Sequence, residues 1–388
     1  MIMISRHRIL TLFSGSTLAF VLMGAAGELT IPGVSDLSKL VPVSVEGFTG
    51  DAGAAIRFDL EVAGFEITTP DKALLQVSGS SGGNLTGRVS DRNRSTLLSK
   101  QYTGGSPRAQ AHAFTDDIVA LLPGRQGIAR TKIAFRTETG GISEILLADY
   151  DGYNAVPVTQ DKTINRDVAW VPGQRILYYT SYRTGNPYVY SHNLQSGARQ
   201  LVAGYAGVNA APAVSPDGRR IAMILSKGGS PDVYVANANG SNLRRLTSTK
   251  EDESSPCWSP DGRRICFASR AGGWAQLYTV SADGGPMTRL TTTEASRTTE
   301  PDWSPDGKTI VFTAQMGGFQ ICTVPSSGGR ATILVAGEDP SWAPNSRTVI
   351  FTRRVGGERV LSLLDVPTKR VKDVRRISGS CSQPAWAR

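Results

Sequence analysis

Three histidines are the first residues of this chain to consider for acid–base chemistry: His7, His112 and His192. His7 lies in a leader-like segment, His112 on an amphipathic helix pattern, and His192 between a strand pattern and a turn. No nucleophile or second acid–base residue stands at a catalytic spacing from any of them. The Gly/Ser run at 79–83 fits the nucleophile-elbow pattern, but no helix pattern follows it, as that motif requires. We therefore predict structural roles for these residues and no enzyme activity.

Carboxylates recur at two kinds of position. Asp217, Asp261 and Asp306 each follow Ser-Pro in a repeated Ser-Pro-Asp-Gly turn, and this repetition favours a structural role over calcium binding or catalysis. A second set stands where six repeated inner strands begin: Asp167, Ala211, Ser255, Glu300, Asp339 and Gln383. Three of these six are acidic, so a propeller enzyme or solute-binding protein that uses channel carboxylates and a metal is the alternative hypothesis. We expect no metal and no cofactor.

The four cysteines are Cys257, Cys266, Cys322 and Cys381. Their spacings match no zinc pattern. Cys257 and Cys266 flank a tight turn, so they are expected to approach each other across a hairpin. A cross-strand disulfide is one outcome, but its tight geometry favours two buried free thiols.

The elements that position these residues follow from a repeat with a period near 44 residues. A Trp or Val anchors each unit, and the anchors are Trp170, Val214, Trp258, Trp303, Trp342 and Trp386. Each unit contains about four short strands separated by turn residues. Four strands at this period indicate one blade of a β-propeller. The sequence therefore predicts an all-β six-bladed propeller over residues 129–388.

The ends of the repeat predict how the ring closes. The pattern starts with a second strand at Ile133 and finishes with a first strand at Gln383–Trp386. The last segment is therefore expected to complete the blade formed by residues 131–160, which removes two open sheet edges.

The turns between first and second strands also follow a pattern. In Ser-Pro-Asp-Gly the proline fixes φ at the first turn position and the glycine takes a positive φ. A degraded copy stands at 343–346, where Asn345 is expected to take the left-handed conformation.

Residues 28–128 lack the repeat and predict a small α/β domain. A helix is expected over residues 50–64, and a second helix starts at Ser106-Pro107, because a Ser N-cap followed by Pro is a typical helix start. Strands are expected at Val41–Val45, Leu74–Val77, Leu85–Val89 and Thr96–Tyr102.

Residues 1–27 predict a cleaved signal peptide. Arg6 and Arg8 precede the apolar run Ile9–Met23, and small residues follow at 24–27. An uncleaved membrane anchor is the alternative, although the run is short for a membrane span.

The net charge of +9 becomes +7 when Arg6 and Arg8 leave with the signal peptide (9 − 2). Basic residues are scattered, with a denser region near residues 353–376 that lacks interleaved aromatic residues. We interpret this region as a solvated face and expect no nucleic-acid partner, although a basic surface can meet an anionic protein or membrane face.

Several segments resemble the TolB family, the periplasmic WD40-like propellers of the Tol-Pal system. The propeller contributes the Ser-Pro-Asp-Gly-Arg-Arg-Ile copies at 215–221 and 259–265. The N-terminal region contributes the segments Ile56–Phe65, Ala111–Ile118 and Gly127–Phe135. The resemblance covers nearly all of the chain after residue 27.

This resemblance implies a periplasmic, monomeric protein, peripheral to membranes. It implies binding of a Pal-like peptidoglycan-associated lipoprotein at the propeller opening and of inner-membrane Tol proteins through the N-terminal region, in support of outer-membrane integrity and cell division. By analogy, the partner-binding residues lie in loops before the inner strands: Val208, Asn209, Ala210, Ala211, Ser254, Ser255, Thr299 and Glu300.

Overall fold

The structure, a computed structural model, describes residues 38–374, 376–377 and 379–388 of the chain. Its strands form a six-bladed β-propeller, preceded by an α/β region with two helices and a five-stranded sheet. The predicted fold class is thereby confirmed. The predicted signal peptide at residues 1–27 lies outside the described residues.

The N-terminal region packs its helices, Gly50–Val62 (α1) and Pro107–Ala120 (α2), on one mixed sheet. The Ser106 hydroxyl oxygen accepts a hydrogen bond from the Ala109 backbone N–H at 3.2 Å, so the predicted N-cap is formed. The three-residue strand Phe65–Ile67 was not predicted; it pairs in parallel with the first strand. The strands are Val41–Glu46, Phe65–Ile67, Leu75–Ser80, Leu85–Asp91 and Thr96–Tyr102.

Each blade is a four-stranded antiparallel sheet that runs outwards from a central channel. From inner to outer strand, blade 1 consists of Ser380–Trp386, Lys132–Thr139, Ile142–Asp149 and Val156–Pro157. Blade 2 consists of Asn165–Trp170, Ile176–Ser181, Tyr188–Asn193 and Arg199–Ala203. Blade 3 consists of Asn209–Val214, Arg220–Leu225, Asp232–Asn237 and Arg244–Arg245.

The remaining blades have the same order of strands. Blade 4 consists of Glu253–Trp258, Arg264–Ser269, Gln276–Ser281 and Thr288–Arg289. Blade 5 consists of Thr298–Trp303, Thr309–Gln315, Phe319–Pro325 and Thr332–Ala336. Blade 6 consists of Glu338–Trp342, Thr348–Val355, Glu358–Asp365 and Arg370–Asp373. Two short strands, Thr292–Thr293 and Gly329–Arg330, pair in parallel beside blade 5.

The ring closes through blade 1, whose inner strand comes from the last residues of the sequence. Trp386 lies opposite Ile133 in the antiparallel ladder. The Trp386 indole N–H also donates a hydrogen bond to the Thr131 hydroxyl oxygen at 2.7 Å. The predicted closure is therefore confirmed, and the strand Lys132–Thr139 is paired on both sides.

Two of the five inner-strand tryptophans tie neighbouring blades together. The Trp170 indole N–H donates to the Ala385 carbonyl oxygen of blade 1 at 3.0 Å. The Trp258 indole N–H donates to the Ala213 carbonyl oxygen of blade 3 at 2.9 Å. Indole N–H groups usually find such acceptors when they are buried, so Trp170 and Trp258 supply both packing area and a specific contact between blades. The Trp303 indole N–H donates instead within its own turn, to the Gly307 carbonyl oxygen at 3.2 Å.

The turns that join inner and second strands lie at one end of the propeller, which we call the turn face. In one of them the Asp217 carboxylate accepts hydrogen bonds from the Ser215 hydroxyl at 2.6 Å and the Arg219 backbone N–H at 3.1 Å. The Ser215 hydrogen bond is the main reason that the pKa of Asp217 lies below its ordinary value. These aspartates thus hold turns, as their repetition predicted.

The left-handed residue of the degraded turn was predicted wrongly. Ser346, with φ of 51°, takes this conformation instead of Asn345. Asn345 occupies the aspartate position of the turn, where its side-chain oxygen accepts hydrogen bonds from the backbone N–H groups of Arg347 and Thr348. An Asn side chain replaces an Asp carboxylate as acceptor without loss of the turn.

Residue 388 reaches across the channel at the turn face. The Arg388 carbonyl oxygen accepts a hydrogen bond from the Gly173 backbone N–H of blade 2 at 2.9 Å. Its guanidinium donates to the Trp342 carbonyl oxygen of blade 6 at 3.2 Å and pairs with Asp302 of blade 5. One residue therefore links three blades besides its own.

The N-terminal region contacts the propeller on the turn face and the adjoining outer strand of blade 6. The Arg370 guanidinium donates to the Phe65 carbonyl oxygen at 2.9 Å, and Lys372 pairs with Glu61 of α1. The opposite face of the propeller has no contact of this kind among the described residues. Within the same residues, no helix combines the length and apolar character needed to cross a membrane.

We predict that deletion of residues 380–388 lowers the melting temperature of the protein strongly, because it opens blade 1. Substitution Trp386→Ala alone should cost about 3–5 kcal/mol, the typical loss for truncating a buried Trp. Thermal unfolding followed by circular dichroism tests both changes. Trp274→Ala, which truncates an exposed Trp, is the matched control, and an unchanged melting temperature after the deletion would contradict the role given to this strand.

Candidate functional site

Each inner strand contains one non-glycine residue with a positive φ, at the same position in all six blades. These residues are Asp167, Ala211, Ser255, Glu300, Asp339 and Gln383, with φ between 49° and 55°. The antiparallel ladder to the second strand is interrupted there in every blade. Five of the six precede a proline, whose ring disfavours the right-handed helical conformation in the residue before it. Left-handed non-glycine residues are uncommon, so this ring of bulges is a built feature of the channel wall.

Side chains at the bulges bond to the backbone of the next blade. The Glu300 carboxylate accepts a hydrogen bond from the Asp339 backbone N–H at 2.9 Å, and Asp339 accepts one from Gln383 at 3.1 Å. Gln383 in turn accepts from Asp167 at 3.2 Å. Ala211 of blade 3 has no side-chain acceptor, so it cannot continue this series of bonds.

Two of the channel carboxylates lie close enough to oppose each other's ionisation. Burial and then the charge of Glu300 raise the pKa of Asp339 to about 7. Burial likewise raises the pKa of Glu300, against hydrogen bonds from the Thr313 hydroxyl and the Asp339 backbone. Like charges in a site of low polarity disfavour double ionisation, so each carboxyl binds its proton more tightly than a free carboxyl does.

At one end of the propeller the chain enters the inner strand of every blade. We call this end the open face. The loops between second and third strands lie at the same end, because neighbouring strands are antiparallel. Six of the nine exposed large apolar residues in the described chain stand in these two kinds of segment or at the strand end next to them: Ile142, Ile164, Val208, Trp274, Phe319 and Val355. They are distributed one to a blade, so a protein that covers the open face would meet apolar surface around the whole ring.

The structure brings most residues predicted to bind a partner to the open face of blades 3 to 5. Ser254 is exposed, Val208 is 36% exposed, and Ala210, Ala211, Ser255, Thr299 and Glu300 are half-buried. Asn209 is fully buried, and its side chain bonds to the backbone of Tyr205 and Gly207. Asn209 thus fixes the loop that presents Val208.

A second part of the open face was missed by sequence reasoning. Trp274 is 63% exposed, and the Arg297 guanidinium lies 3.8 Å from its ring centre. Arg297 also donates a hydrogen bond to Gln315 at 3.4 Å, which pairs with the exposed Phe319 across the ladder of blade 5. We call Trp274, Arg297 and Phe319 the aromatic patch. The sequence held one signal for it, because Trp274 is the only one of the six tryptophans outside the repeat anchors.

The group of side chains whose oxygen and nitrogen atoms come closest together lies away from the open face. Among the described residues, the atoms of Asp59, His112 and Asp151 alone come within metal-ligand distance of one another as a group of three. The channel carboxylates do not form such a group. All four cysteines are buried free thiols, and burial raises the pKa of Cys257, which lies opposite Cys266 in the ladder.

The matching family model is described as the TolB beta propeller domain, and it matches residues 119–388. A Tol-Pal system protein TolB from Francisella tularensis subsp. mediasiatica is 34% identical over 128 residues, covering 31% of this chain and 29% of that protein. The Tol-Pal system protein TolB of Aromatoleum aromaticum is 31% identical over 244 residues, covering 54% of this chain and 57% of that protein. The matches thus span between under a third and just over half of the relatives' own length.

Solved structures share the architecture. TolB from Acinetobacter baumannii superimposes with a TM-score of 0.82 at 22% identity, covering 90% of this chain and 97% of that one. A putative TolB from Agrobacterium tumefaciens gives a TM-score of 0.52 at 22% identity, covering 63% of this chain and 88% of that one. At such identities the likeness shows the fold alone.

We predict that Asp339→Asn stabilises the propeller at pH 8.5 but not at pH 4. Because the pKa of Asp339 is raised in the folded protein, its ionisation destabilises the folded protein relative to the unfolded chain as the pH rises. This destabilisation disappears at a pH at which the carboxyl is protonated in both states. We expect a melting temperature about 2–4 °C higher at pH 8.5, the shift typical of about 1 kcal/mol. Asp306→Asn, at an exposed turn, is the control, and equal effects of Asp339→Asn at both pH values would refute the assignment.

Proposed function

Because this chain belongs to the TolB β-propeller family, we propose that it is a periplasmic, non-enzymatic binding protein of the Tol-Pal system. In this proposal the open face holds a Pal-like peptidoglycan-associated lipoprotein. The N-terminal region engages inner-membrane Tol proteins, and the two contacts together support outer-membrane integrity and cell division.

The observation that carries the proposal is the concentration of exposed apolar side chains on the face that the N-terminal region leaves uncovered. Trp and Arg are the residue types most enriched among binding hot spots, and Arg297 stacked on Trp274 offers both at one place. The exposed Val208 of blade 3 extends the apolar surface around the channel mouth. A partner that covers this area would bury apolar groups and could place a carboxylate on Arg297.

The channel mouth supports contact through backbone groups. The bulges at Ala211 and Ser255 interrupt the ladders of blades 3 and 4. Irregular backbone of this kind is common next to binding sites, where it re-aims side chains and ends strand pairing. Because Ala211 also ends the series of hydrogen bonds between bulges, we place the partner's deepest contact at blades 3 and 4.

The alternative, a propeller enzyme or solute-binding protein with a channel metal, finds support in the three acidic residues of the bulges, Asp167, Glu300 and Asp339. Glu300 and Asp339 are the two whose pKa values are raised. An ion between them would lower the pKa of both carboxyls, since opposite charge favours the ionised form. Metal analysis of the purified protein separates the two functions, because a stoichiometric ion in the channel would favour the alternative.

We predict that Trp274→Ala weakens binding of purified Pal at least about tenfold, or 1.4 kcal/mol, because it removes the largest exposed side chain of the aromatic patch. Isothermal titration calorimetry with the full chain and the soluble part of Pal from the same organism measures this loss.

Leu201→Ala is the matched control for this experiment. Leu201 is 55% exposed on the outer strand of blade 2, away from the open face, so its truncation should leave the affinity unchanged. No detectable binding of Pal to the unaltered protein would overturn the proposed function. Equal losses in both variants would overturn the location of the contact.

A further inference from the structure

A cluster of ionisable residues lies buried where the N-terminal region meets blade 1. Asp59 comes from α1 and His112 from α2, whereas Tyr150 and Asp151 come from the turn after the third strand of blade 1. All four are buried. Arg108 of α2 also reaches this turn and pairs with Asp151. Both parts of the fold thus contribute charged groups to one largely buried site.

The hydrogen bonds of the cluster leave one nitrogen of His112 without a partner. His112 Nδ1 lies 2.7 Å from Asp59 Oδ2, and the Tyr150 hydroxyl donates to Asp59 Oδ1 at 2.5 Å. Both Asp59 oxygens are therefore occupied. His112 Nε2 lies 3.5 Å from Asp151 Oδ2 and forms no hydrogen bond within the described structure. A buried polar atom without a hydrogen-bond partner costs free energy. A positive charge on His112 would offset this cost, because the neighbouring Asp151 carboxylate is negative.

Counting charges decides between a metal ion and a proton at His112 Nε2. With neutral His112, the two carboxylates and Arg108 leave a net charge of −1. One proton on His112 brings this sum to zero, whereas a divalent cation would bring it to +1 beside an arginine. A cation would also have to compete for Asp59 oxygens that already accept two hydrogen bonds. Buried charge is tolerated where it is paired, so the proton fits the site better.

We propose that protonated His112 bridges Asp59 of the N-terminal region and Asp151 of the propeller, and that this makes the contact between the two parts dependent on pH. The imidazolium donates a hydrogen bond from Nδ1 to the Asp59 carboxylate, and its Nε2–H is directed towards the Asp151 carboxylate. Loss of the proton leaves an Nε2 lone pair facing a carboxylate across the interface. The inference does not depend on the partners proposed above.

The charged groups around His112 raise its pKa, as the proposed protonation of the ring requires. Burial alone lowers the pKa of His112, but the hydrogen bond and charge of Asp59 and the charge of Asp151 outweigh burial and raise it above the ordinary 6.5. Burial also raises the pKa of Asp59, against the hydrogen bonds from His112 and Tyr150. The other charged groups that act on these two residues are Arg108, which lowers the pKa of His112, and Lys372 of blade 6.

The sign of the pH dependence follows from these directions. A group whose pKa is raised in the docked protein stabilises docking below its ordinary pKa and loses this contribution as the pH rises through the raised value. The contact should therefore be strongest below pH 6.5, the ordinary value for histidine, and weaken on the alkaline side.

The test is a titration of the full chain followed by NMR of ¹³Cε1-labelled histidines, with the His112 signal assigned from H112Q. We expect the His112 midpoint to lie above 6.5, to fall in D151N and to rise in R108Q, because these variants remove charges of opposite sign next to the same ring. His192 of blade 2, whose pKa burial lowers, is the internal control and should not move in either variant.

A stability measurement on the same proteins separates the bridge from simple packing. H112Q should lower the melting temperature by about 2–4 °C at pH 6 and by much less at pH 9. H192Q should show the opposite trend and be less harmful at pH 6 than at pH 9, because burial lowers the pKa of His192. A His112 midpoint at or below 6.5, equal H112Q effects at both pH values, or stoichiometric zinc whose chelation moves the His112 signal would each overturn the proposal.

Discussion

The pairing of Ser380–Trp386 with Lys132–Thr139 is the contact on which the remaining architecture depends. A sheet edge that is left unpaired exposes backbone groups to solvent and to other chains, and the edge of Lys132–Thr139 would face the channel unpaired if the first and last strands of the propeller did not meet. Once they meet, six inner strands surround one axis, and their bulges fall at the same height in the channel. The division into a turn face and an open face follows from the alternation of strand direction within each blade.

Much of this arrangement can be read from the sequence because it is repeated. The Trp anchors, the Ser-Pro-Asp-Gly turns and the incomplete first and last units together specify blade number and closure. Features that occur once are harder to predict. The strand Phe65–Ile67 is too short to show alternation, and the exchange of roles between Asn345 and Ser346 depends on backbone geometry that residue types alone do not specify.

The functional surfaces illustrate the same difference. The loops before the inner strands could be predicted as a channel mouth, since every blade contributes one. The burial of Asn209 could not, because it depends on how one loop folds back on its own backbone. The aromatic patch joins side chains from blades 4 and 5 with the loop between them. The cluster of Asp59, His112 and Asp151 joins residues that are 53 and 39 positions apart (112 − 59 and 151 − 112), with no local pattern that connects them.

Arg388 gives the channel an asymmetry between its two ends. Its bonds to Gly173, Trp342 and Asp302 place a charged side chain across the passage on the side of the N-terminal region. The two ends of the channel therefore present different chemistry: a guanidinium held by three blades at the turn face, and bulged inner strands with exposed apolar side chains at the open face.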